Sequence, residues 1–186
     1  MIRILDKQVA DKIAAGEVIE RPVSIIKELV ENSIDAGADS IVIEIKKGGK
    51  EYIRVTDNGC GIAAEEAERA FLRHATSKIN TAQDLDAIKT LGFRGEALAS
   101  VCAVTRTELL TKQAENKVGT RLVIHGGEVI SRRPYGCPDG TTLIITDLFY
   151  NTPARLKFMK NDSAESSLIT DFISRMSLAY DDIAFR

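Results

Sequence analysis

Four short stretches between Thr105 and Asp147 constrain this chain more than any other feature, because turn residues separate them and no room is left for helices between them. Thr105–Thr111, Thr120–His125, Glu128–Arg133 and Thr141–Asp147 read as strands, and Gly126-Gly127 is a two-residue hairpin turn. An earlier hairpin has the same form. Ile41, Ile43 and Ile45 alternate with more polar neighbours, Lys47-Gly48-Gly49-Lys50 turns the chain, and Tyr52–Thr56 returns. Hairpins outnumber strand–helix–strand crossovers. This predicts an α/β (α+β) architecture, a mixed and mostly antiparallel sheet with helices on one face. It argues against a doubly wound dinucleotide-binding fold, and the absence of a GxxxxGK[ST] segment excludes a P-loop.

The helices come from a different periodicity. Pro22 suits a first helical position and Gly37 the position just past an end, while Val23, Ile26, Leu29, Val30 and Ile34 make one apolar stripe between them. Further helices are expected over Ala64–Arg73, from about Gly95 to Val101, and over Ser163–Tyr180. The polar, glycine-containing stretch from His74 to Gly95 is long for a connection, with a short helix expected near Asp84–Lys89; loops of this length are often lids or binding loops. The apolar pattern restarts at Asp181–Arg186 as if opening a strand, so the chain is expected to continue past Arg186.

Composition narrows the function. With 186 residues, 44% hydrophobic and 28% charged, the chain is sized for one globular unit. A net charge of −2 and a pI near 5.8 do not suit a dedicated nucleic-acid-binding domain, and the absence of Trp removes the usual stacking platform for single strands. Cys60, Cys102 and Cys137 are odd in number and widely spaced, which suits reduced thiols in a cytosolic protein rather than a disulfide framework or zinc site. The charged N-terminus does not read as a signal peptide. His74 and His125 have no metal-ligand spacing.

Three clusters carry possible chemistry. Glu28 and Asn32, four residues apart, share one helix face beside the apolar stripe. A carboxylate there could activate water, and an amide oxygen could ligate a hard Mg²⁺ ion. Asp57 ends a strand before Gly59 and Gly61, where backbone can approach a ligand closely and the carboxylate can accept a hydrogen bond from an exocyclic amine. Gly92–Leu98 opens a helix through glycines and offers backbone N–H groups to an anion, with Thr76, Ser77 and Lys78 adding hydroxyls and a cation. Each has an ordinary reading as well: a solvated helix face, a plain Asp-Asn-Gly turn, a flexible loop before a capped helix. Arg155, Lys157 and Lys160 form a small basic run that reads as a solvated face sooner than a DNA contact.

The order of these clusters resembles that of the GHKL ATPases, the group containing the ATPase domains of type II topoisomerases, heat-shock chaperones, sensor histidine kinases and MutL proteins. Within it the wording is similar to MutL, in IAAGEVIERP (13–22), KELVENSIDAGA (27–38), DNGCGI (57–62), RHATSK (73–78), GFRGEALAS (92–100) and DLFYNTPAR (147–155). The stretch from Lys112 to Pro138 matches no motif. The resemblance implies a two-layer sandwich holding ATP against the sheet. It implies Glu28 as the general base, Asn32 as a ligand of Mg²⁺, Asp57 on the adenine amine, and Gly61 and Thr142 supporting the pocket. Thr76, Ser77 and Lys78 with Arg94, Gly95, Glu96, Ala97 and Leu98 would cover the phosphates. It further implies residues 1–20 as a dimerisation arm within a single ATP-binding domain spanning 1–186, and a following transducer domain, not contained in this chain, that supplies a phosphate-contacting lysine. The full protein would be a nucleotide-dependent homodimer in the bacterial cytosol, associated with the nucleoid. It would act on DNA with a mismatch-recognition protein and downstream repair factors. Two other readings stand beside this: a nucleotide-gated interaction module without significant hydrolysis, and another GHKL ATPase such as a topoisomerase subunit. Phe93-Arg94-Gly95-Glu96 and Asn151-Thr152-Pro153-Ala154-Arg155 speak against the last.

Overall fold

In a computed structural model, residues 6, 13–16, 18–76, 78, 90–92 and 95–186 are described. The expected helix near Asp84–Lys89, the residues Ser77 and Arg94, and most of the first twelve positions lie outside them.

Alternation of apolar side chains builds one sheet from seven strands: β1 (Ser40–Lys46), β2 (Tyr52–Asp57), β3 (Arg106–Lys112), β4 (Gly119–His125), β5 (Glu128–Tyr135), β6 (Gly140–Thr146) and β7 (Ala184–Phe185). Their order is β5-β4-β3-β6-β2-β1-β7. Every neighbouring pair is antiparallel except β1 and β7, so the sheet is mixed and mostly antiparallel as predicted. The strand expected after Asp181 is β7. Register places Leu122, Leu109, Leu143, Val55 and Ile43 in one row across the sheet, and Ile124, Thr107, Ile145, Ile53 and Ile45 in the next. Almost all of these side chains are buried, since successive residues of a strand face opposite ways and this set faces the helices. The rows on the other face carry the ion pairs Arg121–Glu108, at 2.6 Å, and Arg54–Glu44, and are partly exposed.

Helix α1 (Pro22–Asp35) covers the apolar face with Ile25, Ile26, Leu29 and Val30, all essentially inaccessible. Burying four such side chains contributes on the order of 6–12 kcal/mol before conformational entropy is charged against it. Helix α2 (Ala97–Ala103) lies against β3 and β4 and starts two residues later than the sequence suggested. Beyond it, Phe149 N–H donates to Val104 O at 2.8 Å and Asn151 Nδ2 to Ala103 O at 2.8 Å. The turn through Leu148–Asn151 is thereby hooked to the end of α2. A single turn, α3 (Pro153–Leu156), precedes α4 (Asp162–Ala179), whose Asn161 side chain caps it through Ala164 N–H at 2.8 Å. The guanidinium of Arg155 lies between the ring of Phe149, 5.6 Å from its centroid, and the backbone of Gly16, where a β-carbon would collide with it. This contact seats the N-terminal segment, whose Ala15 and Ile19 are fully buried. Among the described residues no helix is long and apolar enough to cross a membrane.

One expected element does not form. Residues 64–73 are a run of turns with a 3-10 segment at Arg69–Phe71, not an α-helix. Only Ala67 N–H to Ala63 O and Ala70 N–H to Glu66 O close full turns. Five of the ten side chains there are apolar, three of them Ala, and only Ala67 is buried, so the tertiary contact that sustains most short helices is missing.

Gly140 sets the close approach of β6 to the end of β2. Its φ is +98°, and a β-carbon there would run into the carbonyl oxygen of Asp57. Gly140→Ala is expected to destabilise the fold by about 2–4 kcal/mol through strained backbone and overlap together, readable as a lowered urea midpoint at unchanged slope.

Candidate functional site

The end of β2 delivers Asp57 to the seam between the sheet and α1. Its Oδ1 accepts the backbone N–H of Gly59 at 2.9 Å and of Thr141 at 3.1 Å, and Ser33 Oγ lies 2.9 Å from its Oδ2. Ser33 sits on the buried side of α1, 3.0 Å from Leu29 O as well, and its single proton goes to the carboxylate as the stronger acceptor. Asp57 is only 8% exposed. Burial raises its carboxyl above the usual range, and the hydrogen bonds from Gly59, Ser33 and Thr141 pull it back down. Three donors thus fix the carboxylate while Oδ2 keeps a lone pair for a further donor.

The loop that follows is pinned and is no plain turn. Asn58 Oδ1 accepts Asp39 N–H at 3.1 Å and Ser40 N–H at 3.0 Å, and Cys60 N–H donates to Ala36 O at 2.9 Å. Gly61, at φ +69°, passes so close to β3 that a β-carbon would meet Lys112 O. Ile62 N–H then donates to Thr111 Oγ1 at 2.8 Å, and that hydroxyl is 3.1 Å from Thr141 Oγ1. Thr142 takes no part in this. It is one position further along β6 and faces the other side of the sheet, where its hydroxyl donates to Thr56 Oγ1 at 3.1 Å. There it lines a cavity of about 150 Å³ with Val42, Thr56 and Leu110. Thr141 occupies the place beside Asp57 that the sequence reading gave to Thr142.

A second cluster forms on the flank of α1. Glu28, Asn32 and Asp35 follow one another at helical spacing and are half-buried. Asn32 Oδ1 accepts a hydrogen bond from Lys78 Nζ at 2.9 Å, and Asp35 Oδ2 pairs with the same ammonium at 2.6 Å. Asp35 also accepts Leu91 N–H at 3.0 Å and Gly92 N–H at 3.2 Å. Beside them, burial raises the Glu31 carboxyl; Lys27 lowers it, Glu28 and Asp35 add to the rise, and Lys78 lowers it.

The remaining candidates gather where the two ends of the long loop meet. His74 N–H donates to Gly95 O at 3.0 Å, and His74 Nδ1 is 3.3 Å from Glu96 Oε1. Thr76 Oγ1 accepts Lys78 N–H at 3.1 Å. Ala97 and Leu98 form the first turn of α2. The structure therefore places Asp57 and Gly61 at one end of α1 and Glu28, Asn32 and Lys78 along its flank, with Thr76 adjoining. Sequence reasoning missed Ser33, Asp35, Thr111 and Thr141. A serine inside the buried stripe was the available sign of the first; the others depend on long-range register.

The family model described as "Histidine kinase-, DNA gyrase B-, and HSP90-like ATPase" matches residues 20–129, more than half of the chain and all of α1, β2 and the loop between them and α2. The chain belongs to this ATPase family. Within the family its sequence is similar to MutL proteins. It is 55% identical over 185 residues to the DNA mismatch repair protein MutL of Agathobacter rectalis, covering 100% of this chain and 28% of that protein. It is 51% identical over 185 residues to the corresponding protein of Symbiobacterium thermophilum, again over 100% of the chain and 29% of the relative. The chain therefore spans less than a third of either relative's length. Among solved structures it is similar to the Aquifex aeolicus MutL ATPase domain complexed with ADP, with a TM-score of 0.75 and 33% identity over 90% of this chain and 59% of that one. It is also similar to the N-terminal domain of a DNA repair protein, with a TM-score of 0.79 and 32% identity over 95% and 50% of the two chains. The mixed sheet with helices on one face is the fold of this ATPase family.

Proposed function

We propose that this chain is the ATP-binding and slowly ATP-hydrolysing core of a DNA mismatch repair protein, working as a nucleotide-driven dimerisation switch. One observation carries the reading. Asp57 is a buried carboxylate held by three donors with one acceptor position left, and it is bonded to Ser33 on the same helix whose flank carries Glu28 and Asn32. Asp57 offers an acceptor to an exocyclic amine, and the flank with Glu28 and Asn32 offers a base and a hard oxygen ligand for a phosphoryl group and its cation. The ADP in the Aquifex aeolicus domain supports the choice of ligand.

In this reading Asp57 accepts from the adenine amine, with Gly61 and Thr141 forming the wall. Glu28 takes a proton from the attacking water. Thr76, Ser77, Lys78 and the segment from Arg94 to Leu98 cover the phosphates. Asn32 fits a hard cation, since its amide oxygen already accepts a charged donor from Lys78. Mg²⁺ held there would neutralise charge on the phosphates. Phosphoryl transfer asks little covalent chemistry of the protein, and these residues supply what it does ask: a positioned base, an oriented carboxamide and donors to the phosphate oxygens. Residues 1–20 serve as the dimerisation arm of a domain spanning 1–186, and a following domain contributes the last phosphate contact. The whole protein then acts on DNA in the bacterial cytosol, at the nucleoid, with a mismatch-recognition partner and downstream repair factors.

Calorimetric titration of the full-length protein with a non-hydrolysable ATP analogue tests this. Mg²⁺-assisted binding is expected, together with a monomer-to-dimer shift in light scattering. Absence of any binding at millimolar analogue would overturn the reading.

A further inference from the structure

The flank of α1 holds a cation already. Lys78 Nζ lies 2.9 Å from Asn32 Oδ1 and 2.6 Å from Asp35 Oδ2, and the side chains of Lys78 and Asp35 are only 21% and 8% exposed. We infer that the Lys78 ammonium is the resident cation of the Asn32–Asp35 pair in the nucleotide-free protein, and that a divalent cation gains Asn32 only when this ammonium leaves. The inference rests on the proposed nucleotide site.

Three features support it. Asp35 is held independently of Lys78, because the backbone N–H groups of Leu91 and Gly92 anchor both of its oxygens. Removing the ammonium would therefore leave an ordered carboxylate beside an ordered amide oxygen, a pair of hard oxygen donors. Gly92 borders the pair without a side chain: a β-carbon there would stand in ordinary contact, 3.4 Å from Lys78 Nζ and 3.9 Å from Asn32 Oδ1. Finally, Glu28, Glu31 and Asp35 concentrate negative charge on this flank, and the cations acting on Glu31 are Lys27, 3.8 Å away, and Lys78. A dication and an ammonium cannot share Asn32 Oδ1, since like charges at that separation repel strongly in a half-buried setting.

The consequence is obligatory coupling. Metal alone meets a site already filled by a tethered charge. Nucleotide phosphates offer Lys78 another anionic partner, which frees Asn32 for the cation that arrives with them. Metal and nucleotide then bind together or not at all at this position.

The test is Mn²⁺ uptake without nucleotide, followed by the loss of the free-Mn²⁺ paramagnetic signal on titration with full-length protein. Wild type, Lys78→Met and Lys78→Gln are compared, with circular dichroism melts to establish that both variants fold. Each variant is expected to gain about one Mn²⁺ site, bound about tenfold or more tightly than anything the wild type offers there. Adding Asn32→Ala, a charge-neutral change, to Lys78→Met is expected to abolish the gain, which separates coordination from a general loss of positive charge. If neither Lys78 variant takes up more Mn²⁺ than wild type, while wild type binds the ATP analogue with Mn²⁺, the inference falls and the nucleotide site stands. If wild type binds no analogue with Mn²⁺, the nucleotide site falls and the coupling falls with it.

Discussion

Glu28→Ala is expected to leave nucleotide binding in place and to cut ATP turnover by about a hundredfold or more in the full-length protein. The size follows from what a positioned general base contributes, roughly 10²–10⁴ in rate. Glu28 is half-buried on the same flank as Asn32, one turn earlier in α1, so the base and the cation-facing amide are fixed to a single rigid element. The substitution leaves in place the apolar stripe beside it, where Ile25, Ile26, Leu29 and Val30 make the core contact. Stability should therefore change by no more than about 0.5 kcal/mol. Affinity should hold or tighten slightly, because one carboxylate fewer faces the phosphates. Phosphate release at saturating ATP gives the rate, and calorimetry gives the binding. Turnover equal to wild type would remove Glu28 from the role of base; lost binding would make it a ligand contact instead. If wild-type turnover is itself at background while the analogue drives dimerisation, the domain is a nucleotide-gated module and hydrolysis is incidental.

Asp57→Asn is expected to weaken ATP-analogue binding by about a hundredfold or more and, at neutral pH, to make the protein more stable. The first effect comes from exchanging a charged acceptor for an amide whose N–H₂ would face the ligand's own donor, a loss of about 2.7 kcal/mol or more. The second comes from burial. Asparagine preserves the local bonds: Oδ1 still accepts from Gly59 and Thr141, and Nδ2 can donate to Ser33 Oγ, whose proton then returns to Leu29 O. Only the buried charge is lost. Because burial raises the carboxyl's folded pKa above its unfolded value, the native state binds the proton more tightly than the unfolded chain. That contribution to stability is fully present below the ordinary aspartate range near 3.8 and is lost as pH rises through the folded value. At pH 7 the ionised carboxylate is thus a cost to the fold that the variant escapes. Melting temperature should rise for Asp57→Asn at pH 7, and the difference should shrink toward pH 4. A variant that binds the analogue like wild type would sink Asp57 as the adenine contact; one that melts lower at pH 7 would mean the charge is better compensated than its surroundings indicate.

Much of the site was legible because its parts are local. Helical spacing alone puts Glu28 and Asn32 on one flank of α1. Pro22, the apolar stripe and Gly37 bound that helix, and the glycine turns mark out the hairpins. These follow from backbone geometry and short-range side-chain periodicity, which a sequence displays directly. What lay beyond reach depended on pairing between distant segments. The strand order inserts β6 between β3 and β2, and so brings Thr141 to Asp57 across 84 positions. A one-residue step in register turns a side chain to the other face of a sheet, so Thr141 lies beside Asp57 while Thr142 turns to Thr56. The turn-rich run at 64–73 has helix-forming composition and still forms no α-helix, because tertiary burial decides so short an element. Lys78 reaches Asn32 across 46 positions, and no local pattern announces that a loop cation will settle on a helix flank. By itself the sequence determined the elements, their amphipathic faces and the residue types able to do the chemistry, since each is written within a few neighbouring residues. The tertiary structure alone decided which of those residues meet, since only the assembled sheet with α1 laid across it converts separations of tens of residues into distances of about 3 Å.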